Sequence, residues 1–260
     1  MDPQWPVRLF SKSVLKQRKF REISNLLGDT HGLQCLDIGS DNGVISYFLR
    51  KRGGRWKSAD LDEAAVRATR ELVHTDVFQI DGRHTPFGDN EFDVVVIVDF
   101  LEHVQTDREF IGELRRIVRP GGTVIVNVPH AKVSLLRKLR LAMGQTDQRH
   151  GHVRPGYTVD SLAILLRNDF TMTSSRTYSK FFSECIDTIV TAGLGLVKGA
   201  EEASRKGLLV TMHDMHRHRR LFAVYSVIHP VMWVFAKLDA LLIWNSGYML
   251  IAAARSGKVQ

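Results

Sequence analysis

The chain has 260 residues, 44% of them hydrophobic and 25% charged, with 20 glycines and 7 prolines. That composition excludes a disordered chain, a collagen-like repeat and a disulfide scaffold, and the length suffices for one large α/β domain or two small ones. The formal charge is +8 and the sequence pI about 9.7; acidic partners such as nucleic acid, anionic lipid or phosphorylated substrates fit this balance, as does an ordinary basic enzyme surface.

The first twelve residues, MDPQWPVRLFSK, lack the apolar centre of a signal peptide. Residues 7–27 read as a helix. Leu9, Phe10, Val14, Leu15, Phe20, Ile23, Leu26 and Leu27 recur at helical spacing among Arg8, Lys12, Lys16, Arg18, Lys19 and Arg21. The basic face is either solvated or turned to a membrane surface or a substrate. Strands and helices then alternate: strand 34–38, helix 44–52, strand 56–60, helix 63–72, a short strand 77–80, strand 92–100, and helix 109–118 ended by RPGG at 119–122. Strand 123–128 follows. Segment 92–100 is nearly all apolar and β-branched, as suits a strand buried on both faces. Cys35 falls in an apolar strand pattern and behaves as a small core residue. With Cys185 as its only companion, no disulfide or zinc framework is expected, which fits a reducing, cytoplasmic compartment.

After Pro129 the pattern changes. A helix over 132–143 gathers Leu135, Leu136, Leu139, Ala142 and Met143 on one face. The polar stretch GQTDQRHGHVRPGYT follows at 144–158, then helix 159–167 and strand 171–178. Residues 183–245 read as helical, with turn signals near Gly193, Gly195 and Gly207, and 248–253 reads as a last strand. The alternation predicts an α/β fold with a doubly wound, mostly parallel sheet. We divide the chain into a basic N-terminal helix (1–30), a core (31–180 plus 246–257) and a helical cap inserted before the last strand (181–245).

The stretch CLDIGSDNG at 35–43 ends a buried strand in an acid and two glycines. In open α/β sheets a ligand sits beyond the carboxyl ends of the strands, where the strand order reverses. Gly39 allows close backbone approach, and Gly43 lets the turn pack on the following helix. The pattern is D-x-G-x-x-x-G and not the dinucleotide G-x-G-x-x-G. An acid at Asp37 disfavours a pyrophosphate and suits a ligand carrying an ammonium group. Asp60 ends the second strand, where it suits ribose hydroxyls. Asp81, followed by Gly82, comes after the third and suits an adenine amino group, and Asp99 closes the fourth. Each has a plainer reading as a turn or N-cap residue; three at successive strand ends are harder to explain that way.

These residues resemble class I S-adenosylmethionine-dependent methyltransferases, the broad group that includes quinone-biosynthesis methyltransferases. The matching segments are LDIGSDNG, SADLDEAAV, DGRHTPFGDNEFDVVVIVDFLEHV and ELRRIVRPGGTVIVNVP, together about residues 17–130, with looser likeness at 150–178 and in the final strand. The resemblance implies a seven-stranded sheet with its last strand antiparallel. It also implies S-adenosylmethionine as cofactor, with Asp37, Gly39 and Gly43 in the cofactor turn, Asp60 at the ribose, Asp81 and Gly82 on the adenine side, and Asp99 near the methionine moiety. Asp41 stands where the family often has glycine; such a carboxylate either crowds the turn or points to solvent.

On the acceptor side, His152, His103 and His130 are candidates for proton transfer, needed only if the acceptor loses a proton. Arg154, His150 and Tyr157 are candidate substrate contacts; the pairing of His152 with Arg154 resembles a recurring pattern of the family. Lys132, Arg137, Lys138, Arg140, Arg149 and Arg154 outweigh Asp147 over 130–155, favouring an anionic acceptor, an anionic membrane face, or simply a solvated lid. HDMHRHRR at 213–220 lacks a regular ligand framework, so no metal site is expected. The apolar run 221–244 is interrupted by His229, Pro230, Lys237 and Asp239, too often for a span of ~20 residues; it suits core helices or a surface helix touching an anionic membrane. The expected function is methyl transfer to a small amphipathic or lipid-linked acceptor: a quinone, isoprenoid, lipid head group or glycan intermediate. An RNA methyltransferase is one alternative, although no basic patch is interleaved with stacking aromatics. A catalytically inactive cofactor-binding partner subunit is the other.

Overall fold

The computed structural model describes residues 5–39, 41–142, 146–147, 151–198 and 219–258. The single N-terminal helix expected from periodicity is two helices, α1 (Trp5–Lys12) and α2 (Val14–Leu27). Ser13 divides them: its backbone is extended and its hydroxyl accepts from the Lys16 amide, the arrangement of an N-cap. A hydrophobic period continues across such a break, so it does not reveal it.

The core elements fall close to their expected places: β1 (Gln34–Ile38), α3 (Val44–Arg50), β2 (Arg55–Asp60), α4 (Glu63–Val73), β3 (Val77–Gln79), β4 (Phe92–Val98), α5 (Asp107–Ile117) and β5 (Val118–Pro129). RPGG does not separate helix from strand. It lies inside β5, whose pairing with β4 jumps between Phe92↔Val118 and Val94↔Thr123. Then come α6 (Leu135–Ala142), α7 (Val159–Leu166), β6 (Phe170–Tyr178), α8 (Phe181–Lys198), α9 (Arg219–Lys237) and β7 (Met249–Ser256). The turn signal at Gly207 lies outside the described residues.

The seven strands are ordered β3-β2-β1-β4-β5-β7-β6, and β7 runs antiparallel to both of its neighbours. The order reverses between β1 and β4, so the crevice expected of such sheets opens at their carboxyl ends. Alternate residues of β4 enter opposite cores. Val95 and Ile97 pack with Phe110, Ile111 and Leu114 of α5 and with Leu162 and Leu166 of α7. Val94, Val96 and Val98 pack with Ile23 and Leu27 of α2 and with Val44, Ile45 and Leu49 of α3. Two-faced burial is why β4 is apolar without alternation. Cys35 is fully buried, and desolvation pushes its thiol up to about 12, so it serves as core and not as a nucleophile.

The chain turns sharply after β1. Gly39 has φ +87°, and a Cβ there would overlap the carbonyl oxygen of Val98 at the end of β4. Gly28 has φ +68° with nothing within 4 Å of such a Cβ. Substituting alanine therefore separates conformational cost from steric cost. Gly28→Ala should lose about 1 kcal/mol, and Gly39→Ala more than about 3 kcal/mol, read from urea unfolding. Equal losses would mean that the turn yields to the added methyl.

Candidate functional site

Asp60 organises the turn. It is 4% exposed; one carboxylate oxygen accepts from the Asp41 amide at 3.2 Å and the other from the Asp62 amide at 3.0 Å. The end of β2 thereby fixes the loop leaving β1. Carboxylate oxygens accept more than one hydrogen bond, so the same group is suited to a ligand hydroxyl as well. Asp41 takes the left-handed conformation (φ 51°) that glycine would tolerate more easily. Its side chain does not crowd the turn. It points outward, 44% exposed, with Lys16 Nζ at 3.0 Å. Asp37 is 2% exposed and accepts from Ser46 Oγ at 2.5 Å, Ser58 Oγ at 2.8 Å and Arg50 Nη1 at 3.5 Å. Desolvation raises its pKa against the pull of Arg50 and the two serines. The Asp37 carboxylate bolts β1 to α3 and β2.

Asp99 leaves β4 with φ 46°. One of its oxygens accepts from Asn127 Nδ2 at 3.0 Å, and the other meets the Lys19 ammonium of α2. Asn127, fully buried in β5, accepts in turn from the Tyr178 hydroxyl at 2.5 Å. Desolvation holds that phenol well above its ordinary range, so Tyr178 remains a donor. A polar chain thus runs from β6 through β5 and β4 to α2. Burial favours the neutral amine of Lys19, but the Asp99 carboxylate outweighs it and raises its pKa. The crevice end of β4 therefore holds a carboxylate and an ammonium side by side.

Asp81 follows its plainer reading. It is exposed, accepts from the amides of Arg83 at 2.7 Å and His84 at 2.8 Å, and those bonds lower its pKa. Both bonds fall on one carboxylate oxygen and cap the turn after β3. Gly82 (φ +80°) faces Leu61 and Val104. On the acceptor side, His103 stands on a 3-10 turn (Leu101–His103), its Nδ1 2.9 Å from the Gly151 carbonyl. The His152 ring lies edge-on to it, centroids 4.8 Å apart. His130 is elsewhere, with Nδ1 2.9 Å from the Gly247 carbonyl where β5 meets the entrance to β7. That bond places the His130 ring at the β5–β7 junction, apart from the His103–His152 pair.

Arg154 and Tyr157 share a partner. The Arg154 guanidinium pairs with Asp107 and donates to the carbonyls of Val104 at 2.7 Å and Gln105 at 2.9 Å. The Tyr157 hydroxyl donates to Asp107 at 2.7 Å. Both side chains clamp the 151–158 loop onto the β4 exit and the start of α5. His150 lies outside the described residues. The basic excess over 130–155 is also largely answered: Arg137 meets Asp147 at 2.5 Å, Arg140 meets Asp187 at 3.0 Å, and Lys132 meets Glu184 at 3.2 Å. An anionic acceptor no longer follows from that charge. Sequence reading missed Lys16, Lys19, Asn127 and Glu102 as site residues. The first two share a helix face at i,i+3 spacing, a signal legible but ambiguous. Asn127, a polar residue inside the apolar run VIVNVP, was the clearest overlooked sign.

Residues 36–126 match the family model described as "Methyltransferase domain". The ubiquinone/menaquinone biosynthesis C-methyltransferase UbiE of Cupriavidus pinatubonensis is 33% identical over 104 residues, 36% of this chain and 42% of that protein. The ubiquinone biosynthesis O-methyltransferase of Azoarcus sp. is 28% identical over 99 residues, again 36% and 42%. The match thus spans less than half the length of these relatives. Among solved structures, YcgJ of Bacillus subtilis superposes with a TM-score of 0.58 at 10% identity, covering 94% of this chain and all of that one. The [4+2]-cyclase SpnF gives 0.58 at 16%, covering 92% and 82%. A SAM-dependent methyltransferase from Aquifex aeolicus gives 0.52 at 16%, covering 68% and 93%. At such identity the likeness is one of fold.

The polar chain carries a stability consequence. Tyr178→Phe leaves a buried Asn127 oxygen without its donor and should lose about 1–3 kcal/mol in urea unfolding. A loss below ~0.5 kcal/mol would mean that the amide finds another donor.

Proposed function

We propose that the chain, whose residues 36–126 match a methyltransferase-domain model, is a class I methyltransferase that uses S-adenosylmethionine and transfers a methyl group to a small amphipathic or lipid-linked acceptor. The observation that carries this reading is the charge arrangement around the Gly39 turn. Asp60 lies at one side of the turn, and the Asp99–Lys19 pair ends β4 at the other. The donor set fits the cofactor: a carboxylate for vicinal hydroxyls, and a carboxylate with an ammonium for the two charges of an amino-acid end. The bound cofactor supplies an electrophilic methyl group on a sulfonium. What the chain supplies is alignment and exclusion of water, which suit an in-line displacement with dispersed charge. In this reading His103 or His152 would take a proton from an acceptor that must lose one.

The acceptor class rests on two supports. The matched relatives are named for ubiquinone and menaquinone biosynthesis. The described surface also exposes apolar side chains on neighbouring helices: Leu135 and Leu139 on α6, and Val227, Val231, Trp233 and Val234 on α9. Ile243 and Trp244, which is 97% exposed, follow. α6 packs on α8, and α8 on α9. Lys237 Nζ lies 4.9 Å from the Trp233 ring centroid, a cation at the rim of an apolar face. No described helix is long and apolar enough to cross a membrane. We read α8 and α9 as part of a cap that rests this face on a bilayer surface, where a lipid-linked acceptor is reached. Residues 213–218 of the HDMHRHRR stretch lie outside the described residues, and nothing is drawn from the side chains of Arg219 and Arg220.

Three measurements test these statements. Turnover on a cell extract with methyl-labelled cofactor should place the label in the organic phase. Label in RNA would support the nucleic-acid alternative, and no transfer with S-adenosylhomocysteine still bound would support the inactive subunit. Asp60→Ala should weaken S-adenosylhomocysteine binding by about 1–3 kcal/mol, the cost of lost charge-assisted hydrogen bonds; unchanged calorimetric affinity would remove Asp60 from the site. In liposome flotation the chain should rise with the vesicles, and Ile243→Ser with Trp244→Ser should weaken that binding several-fold. A folded, monodisperse protein that stays at the bottom would retire the membrane contact.

A further inference from the structure

We propose that Glu102, His103 and His152 form a binding site for one divalent transition-metal ion. One ligand atom from each, a carboxylate oxygen and two imidazole nitrogens, lies within 4.8 Å of the others. Around an ion bonded at ~2.0–2.2 Å, tetrahedral ligands stand about 3.4 Å apart. The remaining closure, roughly an ångström and a half at most by that comparison, is within reach of ring rotation on the His152 loop.

The convergence is built and not incidental. Glu102 and His103 are adjacent on the 3-10 turn leaving β4, while His152 comes from a loop almost fifty residues later. The loop is pinned to that turn on both sides of His152. Gly151 offers its carbonyl to His103 Nδ1 at 2.9 Å, the Val153 amide donates to the Glu102 carbonyl at 2.9 Å, and Arg154 donates to Val104 and Gln105. These contacts leave His152 little choice but to lie over Glu102 and His103. The Gly151 carbonyl also settles a tautomer. A carbonyl only accepts, so Nδ1 of His103 carries the proton and Nε2 the lone pair, the arrangement common in metal-bound histidine.

Two neutral imidazoles and one carboxylate suit zinc, manganese, iron, cobalt or nickel better than magnesium or calcium, which prefer all-oxygen shells. Glu102 is fully buried, and a buried carboxylate is stabilised by a cation. Lys19 supplies part of that from the Asp99 side, since its ammonium also interacts with Glu102; an ion held by the two histidines would supply it from the other. Three protein ligands leave coordination positions open, as catalytic metal sites do. An acceptor oxygen bound there would be held at the end of β4 beside Asp99. That last point rests on the methyl-transfer reading; the site itself does not.

The test uses the full chain, stripped by a chelator, with His213→Ala, His216→Ala and His218→Ala in the background so that the second histidine cluster does not bind. Zn2+ and Mn2+ are titrated calorimetrically without acceptor or turnover. We expect one ion per chain, at micromolar affinity or tighter for Zn2+, weakened on the order of 100-fold or more by Glu102→Gln and by His152→Ala. S-adenosylhomocysteine affinity, measured beside it, should be unchanged in His152→Ala, which shows that the loop variant is folded. His152→Ala keeps the test valid if Glu102→Gln does not fold. Binding no tighter than millimolar, or equal affinity in the parent and His152→Ala, would overturn the proposal. Loss of S-adenosylhomocysteine binding by the parent itself would instead overturn the cofactor reading and leave the metal result standing.

Discussion

A strand buried on both faces dictates where this protein keeps its polar groups. β4 sends Val95 and Ile97 into one core and Val94, Val96 and Val98 into the other, and its one charged side chain, Asp93, is engaged at the opposite end by the Gln34 amide and Arg119. At the carboxyl end, Asp99 and Glu102 follow. The reversal of strand order beside β4 brings the Gly39 turn to the same end, close enough that Val98 excludes any side chain at Gly39. The Gly39 turn, the acidic strand ends and the histidine pair are thereby gathered by one packing requirement.

The acids so collected are held by groups from distant parts of the chain. Asn127 and Tyr178 fix Asp99 from inside the sheet, and Lys16 and Lys19 approach from α2. α2 is itself tied down: its buried Glu22 pairs with Arg18 and with Arg176 of β6. The N-terminal helices are thus part of the site's wall. Much of the basic balance is used in this way, within the molecule. Arg50, Arg137, Arg140 and Arg154 all meet carboxylates. A net charge of +8 therefore describes the composition more than it describes a field aimed at a polyanion.

The same economy governs the 151–158 loop. Arg154 and Tyr157 share Asp107, so the loop is stapled to the start of α5. The staple fixes Arg154 and Tyr157 and brings the His152 ring edge-on to His103.

What the sequence determined by itself was the sheet and its ligand end. Two-faced apolar strands, glycine turns and alternating helices are local patterns, so β1 through β5 and the turn at Gly39 could be read from residue order. Asp60 was legible for the same reason: its place at a strand end is a one-dimensional fact. What the tertiary structure decided was the partner of each polar side chain. Asp37 and Asp81 obey the same strand-end rule as Asp60 and Asp99, yet one is consumed by Ser46, Ser58 and Arg50 and the other by its own turn. Lys19 reaches Asp99 across eighty residues, and His152 reaches His103 across forty-nine. Hydrogen bonds and ion pairs are short-ranged in space and indifferent to separation along the chain, so only the folded chain settles which acids and imidazoles remain for a ligand.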